Sequence, residues 1–139
     1  MLVQAMLPVE TGNPASYRLE YGTSLRQAGK NPRTLVNDDG KTIAVDTGRL
    51  RFLLRRDRFR LFENLQVTPT EGGKYRPIPL IAHSGGCQVD GMFRSESPCK
   101  LTVEESGPVR GVVKIAGAHT DNQGNEKLDY VVRLYVYAD

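Results

Sequence analysis

From Leu128 to Tyr137 the chain alternates without a break: Leu128, Tyr130, Val132, Leu134 and Val136 take every second place, and Asp129, Val131, Arg133, Tyr135 and Tyr137 fill the places between. Successive side chains of a strand point to opposite faces, so this period of two predicts a strand with its first set in a core and its second set turned outward. Upstream, the stretch Leu101 to Gly117, turned at Gly107-Pro108, joins it in an antiparallel meander. Gly107-Pro108 is expected to form the tight corner, with Pro108 at the start of the second strand, where a missing N–H costs least. The last strand is still running two residues before Asp139, as expected of a piece of something longer.

Other strands are shorter. Tyr17 to Tyr21, Leu35-Val36, Thr42 to Asp46, Gln88 to Arg94 and Lys100 to Glu104 are expected, with Ile78 to Ala82 pairing briefly at an edge because of its flanking prolines. Asn37-Asp38-Asp39-Gly40 predicts a turn, since Asp and Gly tolerate positive φ. Leu50 to Leu54 and Phe59 to Phe62 flank Arg55-Arg56-Asp57-Arg58, which reads as a hairpin with a basic tip. Leu50, Phe52, Leu54, Phe59 and Leu61 would face the core. A helix over 50 to 62 is the rival, and the arginine after each apolar residue favours the strand period. Fourteen Gly and eight Pro scattered between short apolar runs suit a turn-rich β fold. The expectation is an all-β chain, a small closed or partly open antiparallel barrel, with a sandwich as the alternative. Residues 1 to 15 read as a linker or added N-terminus, and 16 to 139 as one domain.

The net charge of +3 is mild but uneven, because Arg49, Arg51, Arg55, Arg56, Arg58 and Arg60 fall within twelve residues. A guanidinium fork matches a carboxylate bidentately, so Arg55, Arg56, Arg58 and Arg60 are the candidate binding residues for an acidic polysaccharide. The competing explanation is a polar outer face. Nucleic acid is disfavoured, since neither a recognition helix nor an interleaved aromatic platform is present. Tyr135 and Tyr137 share one outward face and would stack on a sugar or, as favoured here, bury against a neighbouring domain.

No catalytic set, metal site or cofactor site is expected. Cys87 and Cys99 lack CxxC spacing and adjacent histidine; two free thiols are expected, with a bridge between neighbouring strands as the alternative in an exported protein. His119, near Asp121 beside a loop expected over 118 to 126, reads as a solvated histidine rather than an acid/base partner. His83 has no second ligand at metal spacing. Ser84-Gly85-Gly86-Cys87 has no following helix of the kind a nucleophile elbow needs. Asp38-Asp39 and Glu104-Glu105 are neighbours whose strand geometry sends them to opposite faces. No stretch approaches the eighteen or so apolar residues of a membrane span. Met1 to Val9 is apolar but lacks the basic start of a signal peptide.

Taken in order, the acidic strand end, Ser106-Gly107-Pro108-Val109-Arg110, the run closed by Gly117, the loop Asn122-Gln123-Gly124-Asn125 and the strand end Arg133 to Tyr137 resemble the exo-rhamnogalacturonan-lyase-like (PcRGLX/YetA-like) family. Ile43 to Phe52 and the apolar run Phe59 to Leu65 fit the same pattern. The resemblance implies that family's N-terminal RIFT-type Greek-key barrel, in a large carbohydrate-active protein whose chemistry lies in a helical toroid with no counterpart here. It implies a non-catalytic scaffold, with that toroid of the same parent chain and an acidic pectic polysaccharide as partners and an extracytoplasmic setting slightly favoured for the parent. An autonomous module for uronate-containing glycans is the alternative.

Overall fold

A computed structural model describes residues 12, 14, 16–18, 34–70, 73–78, 88–95 and 98–139. The chain divides into two compact units, Met1–Pro32 and Arg33–Asp139, and the fold below is that of the second. Most of the strand expected over Tyr17 to Tyr21 lies outside the described residues, as do Cys87, His83, Ser84 and the Gly85-Gly86 pair.

The first sheet is a five-stranded meander of β1 (Val36–Asp38), β2 (Thr42–Asp46), β3 (Leu50–Arg55), β4 (Glu63–Val67) and β5 (Arg76–Pro77), in that order. In the second are β6 (Gln88–Val89), β7 (Phe93–Arg94), β8 (Lys100–Ser106), β9 (Arg110–Thr120) and β10 (Glu126–Tyr137). β9 is its centre: β10 covers one edge throughout, so β8 and β7 share the other. Every pairing is antiparallel. There is no helix among the described residues, hence none long and apolar enough to cross a membrane.

Alternation places the core. Ile43 pairs with Leu54 and Val45 with Phe52 across β2 and β3, and Leu101 pairs with Ile115 across β8 and β9; all six are buried. These two apolar faces pack on each other with Leu35, Val36, Phe59, Val113 and Val136. Phe59 stacks on Tyr130 of β10 with ring centroids 5.2 Å apart, tying the connection after β3 to the second sheet. At Gly111 the backbone is closely covered: a Cβ there would lie 2.5 Å from Val36 Cγ2 of the first sheet and 3.1 Å from Val136 Cγ2 of the neighbouring β10. Only glycine fits that contact.

Turns follow their side chains. Gly40 adopts φ +86°, and the Asp39 carboxylate accepts the Lys41 and Thr42 amides and the Thr42 hydroxyl. Those bonds, the Thr42 amide first, hold Asp39 below the usual carboxylate range. Gly107-Pro108-Val109 turns the chain between β8 and β9, closed by Gly107 N–H donating to the Arg110 carbonyl at 2.9 Å. Pro108 sits inside the corner and the second strand begins at Arg110.

Several expectations change. The hairpin partner of β3 begins at Glu63, not Phe59, because the bulky core residues Phe59 and Leu61 turn inward within the connection. The strand expected over Gln88 to Arg94 is instead a small hairpin, β6 and β7, turned at Asp90 and Gly91, which both take positive φ. The sheets do not close into a Greek-key barrel, and the sandwich alternative is the one adopted. Closure needs continuous pairing around the whole circuit. Here the terminal strands β5 and β6 have two residues each, and the first sheet is a plain meander.

Candidate functional site

The arginine run is mostly neutralised by carboxylates that fold onto it. Arg55 holds Asp57 through Nε and Nη2 at 2.8 and 2.6 Å, and Arg56 Nη2 donates to Asp38 at 2.8 Å. Arg58 Nε donates to Glu63 at 2.7 Å, with Arg55 Nε 3.9 Å from the other Glu63 oxygen. Arg51 donates to Asp46 at 2.7 Å while its guanidinium lies 3.8 Å above the Tyr75 ring, and the Tyr75 hydroxyl itself donates to Asp46 and to the Gly48 carbonyl. Arg49 Nε lies 3.3 Å from Asp139. Arg60 alone of the six has no ion pair among the described residues, and its Nε is buried without a hydrogen-bond partner. The structure thus brings Arg55 and Arg58 together on Glu63, sends Arg56 to Asp38, and leaves Arg60 apart. The Arg55 bond holds the exposed Asp57 carboxyl below its usual range and raises Arg55 in turn.

Tyr135 and Tyr137 stand on the outer face of β10 as expected, 51% and 55% exposed. Val131, 56% exposed, extends the same row. Beneath Tyr135 the cross-strand neighbour Val112 is buried although it lies outside the main core. Arg133 interrupts the row and holds Glu104 of β8 through Nε at 2.9 Å and Nη2 at 3.3 Å. Beside Tyr137, Arg110 pairs with Glu105. Glu104 and Glu105 therefore serve two different arginines and do not converge on one bond. The Arg133 bond keeps Glu104 below the usual range. Sequence reasoning placed Val131 on the outward face by its parity with Tyr135 but did not count it with the two tyrosines as a surface residue.

His119 is a correction. It is not a solvated loop residue, because β9 runs on to Thr120 and carries the ring into the interior, 6% exposed. Its Nδ1 lies 3.0 Å from the Leu128 carbonyl and so carries the proton, and its ring packs edge-on to Tyr130 at 5.3 Å. Asp121 instead builds the turn before β10, accepting from the Gln123 and Asn125 amides and the Asn125 side chain. These bonds, the Asn125 side chain first, lower its carboxyl. No acid/base pair exists between the two.

Cys99 is a free, buried thiol whose titration is pushed up by burial, and its Sγ lies 3.6 Å from the Arg55 carbonyl. Among the described residues no three His, Cys, Asp or Glu side chains gather as a metal site would require.

A family model described as the PcRGLX-like protein central beta sandwich domain matches residues 34–139. No curated protein and no solved structure matches the chain at a significant level. The matched domain corrects the expected one: it is the central sandwich and not the N-terminal barrel. Short alternating strands and Gly-Pro corners are common to both architectures, so the motifs themselves do not separate them. With more than half of its length matched, in agreement with two open packed sheets, the chain belongs to the PcRGLX-like family as its central β-sandwich domain.

Proposed function

We propose that this sandwich is a non-catalytic scaffold within a large, polysaccharide lyase-like protein acting on acidic pectic polysaccharide, and that it packs against the catalytic helical toroid of the parent chain. One observation carries this: Val131, Tyr135 and Tyr137 form an apolar row on the outer face of β10, each about half exposed. Exposed aromatic rows of this kind mark surfaces that bury against a partner. In support, six arginines of the described residues are each paired with a nearby carboxylate and are not aimed at a common point. The chain alone is expected to release no unsaturated product from rhamnogalacturonan. Turnover that survives repurification and disappears on a point substitution in this domain overturns the proposal. In the parent protein, Tyr135→Ser with Tyr137→Ser should loosen this domain, seen as its earlier release in limited proteolysis.

A second reading, an autonomous module for uronate-containing glycans, draws on Arg60, which among the described residues has no carboxylate partner. Its partner would be the sugar's carboxylate.

A further inference from the structure

β10 is the last strand of its sheet. β9 lies along one of its edges from Thr120 to Arg110, and among the described residues no strand pairs with the other. Four successive residues, Leu134, Tyr135, Val136 and Tyr137, line a single groove of about 510 Å³ that Phe52 and Phe62 help to floor. Because neighbouring side chains of a strand point to opposite faces, four in a row can border one groove only where the strand's edge itself opens into it. A twelve-residue edge without proline is a template for another strand.

The residues of β10 specify which strand. Between Leu128 and Tyr137 the outer face carries just two charges, Asp129 and Arg133. Asp129 is exposed and has no ion pair among the described residues. Arg133 commits Nε and Nη2 to Glu104 and leaves Nη1. An antiparallel copy of β10 centred on Val131 sets Asp129 opposite Arg133 of the second copy, twice, with Val131 facing itself on the axis. On the inner face the same register lays Leu128, which is 53% exposed although it has core-facing parity, over Leu134 of the second copy at the mouth of the groove. Sliding by two residues puts Val131 opposite a charge and leaves both ion pairs unmade, and sliding by one exchanges the faces.

We propose that β10 pairs edge to edge with β10 of a second copy about a two-fold axis at Val131, making one sheet continuous across a dimer. The interface is isologous, so one residue change acts twice. The test is light-scattering mass against concentration on the full chain, with thermal unfolding of every variant to show that it is folded. A reversible dimer is expected. Val131→Cys should give a disulfide-linked dimer under mild oxidation, since facing residues of an antiparallel pair stand close enough, whereas Tyr137→Cys, far from the axis, should not. Asp129→Arg sets like charges opposite each other at two places and should raise the dissociation constant about tenfold. Combining it with Arg133→Asp should restore the dimer. A folded monomer at every concentration, an uncrosslinked Val131→Cys variant, or a dimer indifferent to Asp129→Arg overturns the proposal.

Discussion

Along β3 and the segment after it, Arg51, Arg55, Arg56 and Arg58 each lie against a carboxylate, while along β10 Tyr135 and Tyr137 stand half in water. The two rows look equally functional as residue lists, yet folding treats them differently. A charge run recruits opposite charges from wherever the fold brings them: Asp38 reaches Arg56 from β1, and Glu63 reaches Arg58 from β4. A ring row on a strand has no such option, because the parity that puts its neighbours in the core keeps it outside. The exposed apolar row is therefore the better marker of a partner surface, and a dense basic run is not by itself a basic patch.

The inside and outside of the second sheet give the largest test of that contrast. Ile115 is fully buried and Val131 is half exposed on the opposite face. Ile115→Ala should cost about 2–5 kcal/mol in chemical denaturation. Val131→Ala should stay within about 0.5 kcal/mol. Equal losses would mean that β10's outer face is already covered within this chain.

Gly111 sharpens the same point at the contact between sheets. Gly111→Ala places a methyl against Val36 and Val136 and should cost about 1–3 kcal/mol, because overpacking forces both side chains from their rotamers. A neutral result would show that the sheets separate easily.

Acid should act more weakly, and mainly on the charged rows. Asp39, Asp57, Glu104 and Asp121 have folded carboxyl values below the ordinary 3.8 or 4.5. Groups so depressed add stability that is present above the unfolded value and is lost as pH falls through the folded one. The melting temperature should hold from about pH 7 to about pH 5 and fall below about pH 4, with the decline partly flattened in Asp121→Asn. Since Asp39, Asp57 and Glu104 are exposed and Asp121 is only half-buried, the change should be modest, and a loss beginning near neutrality would point to a different group.

The arginines are expected to contribute little to stability. Arg58→Gln with Arg60→Gln should shift stability by about 1 kcal/mol, since Arg58 loses a half-buried pair with Glu63 and Arg60 has no ion pair among the described residues. Binding of uronates by this run requires more: polygalacturonate affinity should fall steeply from low to physiological salt, where screening acts over about 8–10 Å, and the double variant should weaken it. Titration calorimetry without salt-sensitive uptake would leave the arginines as a neutralised surface.

Much of the fold was legible because alternation is a local property. Thr42 to Asp46 and the inward set Tyr130, Val132, Leu134 and Val136 follow directly from residue order, as do the corner at Gly107 and the turn at Gly40. What remained hidden depended on residues distant along the chain. His119 reads as a loop residue until β9 extends to meet β10 and Tyr130 supplies a ring to pack on. The arginines read as a free cationic tip until Asp38 and Glu63 arrive from other strands. Alternating polarity determined which side chains face inward on each strand, since a slip of one residue would bury charge. Whether two sheets close into a barrel or stack open was decided by tertiary structure alone, through strand lengths and pairing partners that no local pattern encodes.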